Sequence, residues 1–93
     1  MYSNSAQGSL LAFPNPVSQE NYFITVKIAN ANNLKVEGYV CDAFGTKIQR
    51  IDSQSQGDLL QLAISAFKEG VYLVWLSDGA RVYTTKFIVL YSY

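Results

Sequence analysis

The chain has 93 residues, with no histidine, a single cysteine, a single methionine, two prolines, and seven basic side chains that cancel seven acidic ones. Without histidine it lacks the commonest general base, the commonest zinc ligand and the usual hydrolytic triad. Cys41 cannot form an internal disulfide, and a lone Cys within an apolar run reads as a small hydrophobe. Zero net charge gives no general attraction to nucleic acid or to anionic lipid. No apolar run approaches the roughly 20 residues of a membrane-spanning helix. The opening "MYSNSAQGS" has neither the basic start nor the apolar stretch of a signal peptide. These absences leave a small domain that calls for no catalytic residue, cofactor or metal, and whose partners are read by shape. Residues 1–9 read as a linker or an expression scar and residues 10–93 as one domain, because a chain of this length cannot build two cores.

What is present is apolar alternation broken by turn chemistry. Apolar residues make up 49% of the chain, with seven Tyr, five Phe and one Trp, a composition that leans toward β-structure. No segment of ten residues carries a helical stripe. "LLAF" at 10–13 stops at Pro14-Asn15-Pro16, where two prolines remove ladder donors and Asn15 supplies a turn. From Tyr22 to Ala29, alternation places Tyr22, Ile24, Val26 and Ile28 on a core face. Val36, Gly38 and Val40 repeat the pattern up to the "DAFG" turn, "TKIQRI" follows, and Leu60, Leu62 and Ile64 mark a later strand beyond an exposed "SQSQG" loop. The spacing predicts an all-β fold, an Ig-like antiparallel β-sandwich of about seven strands.

Several residues carry specific expectations. Asp42 caps a turn through its carboxylate, with Gly45 taking a positive φ. Gly70 and Tyr72 form a corner in which the phenol returns to the preceding backbone. Asp78-Gly79 turns the last hairpin. Tyr72, Val74 and Leu76 then face inward and Val71, Leu73 and Trp75 face outward. Trp75 with Tyr83 offers an aromatic contact face, which motivates an alternative reading as a carbohydrate-binding or adhesive module. Lys86 reads first as a solvated strand residue. Asp42, Glu69 and Asp78 have no spacing that suggests a catalytic carboxylate pair. An exposed edge strand beside the aromatic strip leaves a homodimer open.

Three stretches taken together resemble the type A C-terminal sorting domain of the type IX secretion system of Bacteroidetes. They are "FPNPVS" at 13–18, "VEGYVCDAFGTKI" at 36–48 and "LAISAFKEGVYLVWLSDGARVYTTKFIV" at 62–89. Their order and spacing carry the likeness, since a Gly-X-Tyr or an Asp-x-x-Gly turn alone is common. The resemblance implies a non-catalytic export label at the end of a cargo protein. It implies passage through the periplasm, recognition by the outer-membrane type IX translocon, and delivery to the cell surface or beyond. A sortase-like attachment complex would cleave the label away near or before Leu10. Carried over by position, the motif residues are Pro14, Asn15, Pro16, Asp42, Gly45, Gly70, Tyr72, Gly79 and Lys86. Cys41 stands where the family commonly has an aromatic, Trp75 where it often has a polar or basic residue, and "LYSY" runs past the usual ending.

Overall fold

The computed structural model describes residues 6–18, 20–65 and 67–90. The strands among the described residues are β1 (Ala6–Gly8), β2 (Leu10–Phe13), β3 (Val17–Ser18), β4 (Phe23–Ile28), β5 (Lys35–Asp42), β6 (Lys47–Gln54), β7 (Leu59–Ala63), β8 (Gly70–Ser77) and β9 (Arg81–Leu90). Seven of these have four residues or more, in line with the sequence expectation, while β1 and β3 are short additions. A large sheet runs β1-β9-β8-β5-β6, with β3 also on β9, and a small sheet runs β2-β4-β7. The pairings between the seven longer strands are antiparallel. Both short strands lie parallel to β9.

Alternation explains why the sheets stack. β4 buries Ile24, Val26 and Ile28, and β7 buries Leu60 and Leu62. From the large sheet, Val36, Val40, Tyr72, Val74, Leu76, Tyr83, Phe87 and Val89 meet them. A short dimension of 18 Å fits two layers about 10 Å apart with side chains outside each. One end of the core is closed by aromatics: Phe67 from the β7–β8 corner lies 4.9 Å from Tyr72, and the Tyr72 and Phe87 rings are 5.5 Å apart. Among the described residues no helix is long and apolar enough to cross a membrane.

Two local expectations need correction. Tyr22 is 70% exposed, because β4 begins one residue later and the chain is still turning at that point. The "SQSQG" stretch is only partly loop: β6 continues to Gln54, and Ser55 is buried. The Ser55 hydroxyl accepts from the Leu34 amide at 2.8 Å and donates to the Gly57 carbonyl at 2.9 Å, so its burial leaves no polar atom unpaired. Polarity alone concealed a serine that works as backbone glue. The sheet also begins inside the stretch read as a linker, since Ala6–Gly8 pair with Arg81, Val82 and Tyr83. The remainder of that stretch, and residues 91–93 of the "LYSY" ending, lie outside the described residues.

Gly38 sets how closely β5 approaches β8. It pairs with Leu76 in the middle of the large sheet, and a Cβ built there would lie 1.8 Å from the Trp75 carbonyl oxygen. A glycine inside an alternating strand is the sequence mark of such a backbone approach. Gly38→Ala is expected to destabilise the domain by about 3 kcal/mol, the upper end of overpacking penalties. Urea unfolding would show this as a lower midpoint with an unchanged slope; an unmoved midpoint would show that the strand relaxes freely.

Candidate functional site

Of the motif residues, all but Gly79 converge on one end of the sandwich, around the last five residues of β9. The Phe13-Pro14 and Asn15-Pro16 bonds are cis, and between them Asn15 turns its amide onto β9. The Asn15 Nδ2 donates to the Lys86 carbonyl at 3.1 Å, and its Oδ1 accepts from the Ile88 amide at 3.0 Å. A side-chain amide carries one donor and one acceptor side by side, as a peptide group does. Asn15 therefore takes a strand partner's place on β9 in the gap between β1 and β3. In the sequence Asn15 reads as a turn residue and as part of the Pro-Asn-Pro motif, and its reach across the fold is not visible in spacing.

Asp42 behaves as its sequence position suggests. Its Oδ1 accepts from the Phe44 and Thr46 amides, both at 2.9 Å, and Gly45 closes the turn at φ 86°. Within the sheet Asp42 stands opposite Tyr72, which stands opposite Phe87. The Tyr72 hydroxyl donates to the Lys68 carbonyl at 2.6 Å, which makes the corner. Burial is the main cause that pushes the Tyr72 phenol above its ordinary pKa, and the Asp42 charge adds to it. Lys86 sits opposite Leu73 on the outer face, exposed, and both border a shallow groove of about 310 Å³ with Cys41, Asp42, Gly45 and Tyr72. The groove thus gathers Asp42, Gly45, Tyr72 and Lys86, with Gly70 two residues from Tyr72 and Asn15 bonded behind Lys86.

Gly79 belongs to the opposite end. It has φ 95° in the β8–β9 turn, where Asp78 does most of the bonding. Asp78 Oδ1 accepts from the Ala80 amide at 2.8 Å and the Arg81 amide at 2.6 Å, and Oδ2 accepts from the Tyr83 hydroxyl at 3.0 Å. These donors, the Arg81 amide first and then the Ala80 amide, hold the carboxyl below the usual range.

The proposed Trp75–Tyr83 face does not form. Trp75 stands opposite Thr84, so Tyr83 is one residue out of step and points into the core, 2% exposed against 36% for Trp75. A one-residue difference in register moves a side chain to the other face of a sheet. Trp75 instead has Tyr39 as its cross-strand neighbour, and the Lys47 ammonium lies 4.1 Å from the Tyr39 ring centre. The saccharide reading loses the pair on which it rested. Among the described residues no group of Cys, Asp and Glu side chains is gathered as a metal site would require.

Fold and motif cluster define a small β-sandwich module whose marked residues shape turns, edges and one exposed groove. Residues 11–90 match the family model described as the secretion system C-terminal sorting domain. The chain belongs to that family, a family of type IX secretion sorting signals that is not an enzyme family. Such a domain is attached to a cargo protein and directs it through the secretion machinery to the cell surface or beyond. No curated protein matches the chain significantly.

Two measurements check the geometry. Tyr72→Phe removes the bond to Lys68 and is expected to lower stability by about 0.5–1.5 kcal/mol in urea unfolding, with no change in the strand signature by circular dichroism. Asp78 has a depressed folded pKa, so its stabilisation is complete above the unfolded value of about 3.9 and disappears as pH falls through the folded value. Between about pH 5 and about pH 2 the melting temperature of the natural chain should therefore fall more steeply than that of Asp78→Asn. Parallel acid-side slopes would remove Asp78 from the account.

Proposed function

We propose that the domain is the export label of a longer Bacteroidetes cargo protein, read by the outer-membrane type IX translocon. The cargo passes the periplasm, and a sortase-like peptidase of the attachment complex cuts upstream, near or before Leu10, at the cell surface. The observation that carries this reading is the family match across residues 11–90. The convergence of Asn15, Asp42, Gly45, Tyr72 and Lys86 at one end gives the machinery a defined surface to meet.

Lys86 is the residue through which recognition acts. Its carbonyl is fixed by Asn15, while its side chain is exposed on the outer face. The structural roles of Pro14, Asn15, Pro16 and Gly70 are compatible with recognition, because each lies at the end of the sandwich where Lys86 is exposed, while Gly79 turns the hairpin at the other end.

The test is a fluorescent protein fused ahead of residues 10–93 and expressed in a type IX-competent cell. The fusion should reach the cell surface or medium, and removing the β8–β9 hairpin should leave it in the periplasm. Lys86→Ala should keep the melting temperature within about 0.5 kcal/mol equivalent of the parent, as surface substitutions do, yet reduce export severalfold. Periplasmic retention of the intact fusion would end the proposal, and normal export of the Lys86 variant would end the role given to that side chain.

A further inference from the structure

The chain is fastened on both sides of Ser9. Upstream, β1 lies on β9 in parallel register, with Gly8 opposite Tyr83. Downstream, the Ala29 amide donates to the Ser9 carbonyl at 3.0 Å, and β2 begins in the other sheet. Gly8 is the tight point on the β9 side. A Cβ there would lie 2.0 Å from the Tyr83 ring, and that ring is pinned through its hydroxyl to Asp78. The Tyr83 ring covers the glycine, a contact that only a residue without a side chain permits.

These two fastenings are unequal. β2 is paired along its length with β4 and buries Leu10 and Ala12 in the core. β1 has three residues, pairs with one strand only, and contributes no side chain at Gly8. Short elements of low contact density open first, while the rest of a fold stays closed. β1 is therefore the piece that can lift away while both sheets remain.

We propose that β1 is a releasable strap that controls access to the peptide bonds between Gly8 and Leu10. A peptidase takes its substrate as an extended segment whose backbone groups are free to pair with the enzyme. While β1 is on β9, the backbone upstream of Ser9 is engaged there, and the Ser9 carbonyl and Leu10 are held by β4 and the residue after it, so lifting β1 frees the upstream side of the segment for a peptidase to pair with. Hydrolysis adds water across the peptide bond, hydroxyl to the carbonyl carbon and proton to the leaving amine, and it waits on strap opening. Applied to the export label, an extension that rests on the sorting reading above, the strap keeps cargo and label joined until the attachment machinery lifts β1 from β9.

Limited digestion of the purified full chain with proteinase K, with cuts between residues 5 and 11 followed by mass spectrometry, tests this. Gly8→Val forces a branched side chain against Tyr83 and should raise the cutting rate there at least about tenfold, since cleavage follows the open population. A disulfide lock joins β1 to β9 through Gln7→Cys and Val82→Cys, which are register partners, in a Cys41→Ser background. Oxidised, the lock should slow those cuts about tenfold, and reduction should restore them. Equal rates in the oxidised and reduced lock overturn the strap. If Gly8→Val unfolds the whole domain, seen as cuts throughout the chain, the lock alone decides. The two readings separate cleanly. An exported reporter with an indifferent lock sinks the strap and leaves sorting standing; an effective lock on a label that is never exported does the reverse.

Discussion

Asp78 pins the β8–β9 turn with three hydrogen bonds, and much of the domain follows from the register they hold. With Ser77 opposite Val82, Tyr83, Phe87 and Val89 enter the core while Thr84, Lys86 and Ile88 face out. A slip of one residue would bury a lysine and expose a tyrosine and a phenylalanine, so the register is strongly specified by burial as well as by the turn. Because β9 also receives β1, Asn15 and β3, the same register fixes where residues 6–18 meet the large sheet. The sorting-domain motifs at the two ends of the sequence are thereby coupled through one strand.

Open sheet edges invite pairing with other chains, and each edge here is treated differently. The β9 edge is closed in pieces by β1, the Asn15 amide and β3. The β6 edge is left open but charged: Arg50 pairs with Glu37 at 3.1 Å and lies 3.8 Å from Asp52, while Lys47 caps the Tyr39 ring. These exposed pairs add little stability. Their placement on an outermost strand opposes the stacking of one domain against another.

The strand pattern was legible because alternation with a buried face is a two-residue signal, and Ile24, Val26, Ile28, Leu60, Leu62, Tyr72, Val74 and Leu76 all obey it. The turn chemistry of Asp42 and Gly45 and the Tyr72 corner were legible too, since each is a local contact within a few residues. What escaped was non-local. Asn15 meets partners more than 70 residues away, Ser55 bonds to Leu34 across a turn, and Gly8 lies beneath a ring from the last strand. Pattern reading assigns faces along one strand and is silent on the register between two, which is why Tyr83 was paired with Trp75 on the wrong side.

The proportions of the molecule, 45 × 29 × 18 Å, bear on how such a label could travel. Both sheets share one elongated, nearly flat body, so a folded domain presented end-on sweeps out a slot and not a circle. A passage that admits it must open to at least its 29 Å width in one direction, though to only 18 Å in the other. Orientation at the entrance would then matter as much as diameter, and a domain whose motif residues other than Gly79 gather at one end has two distinguishable ends to present.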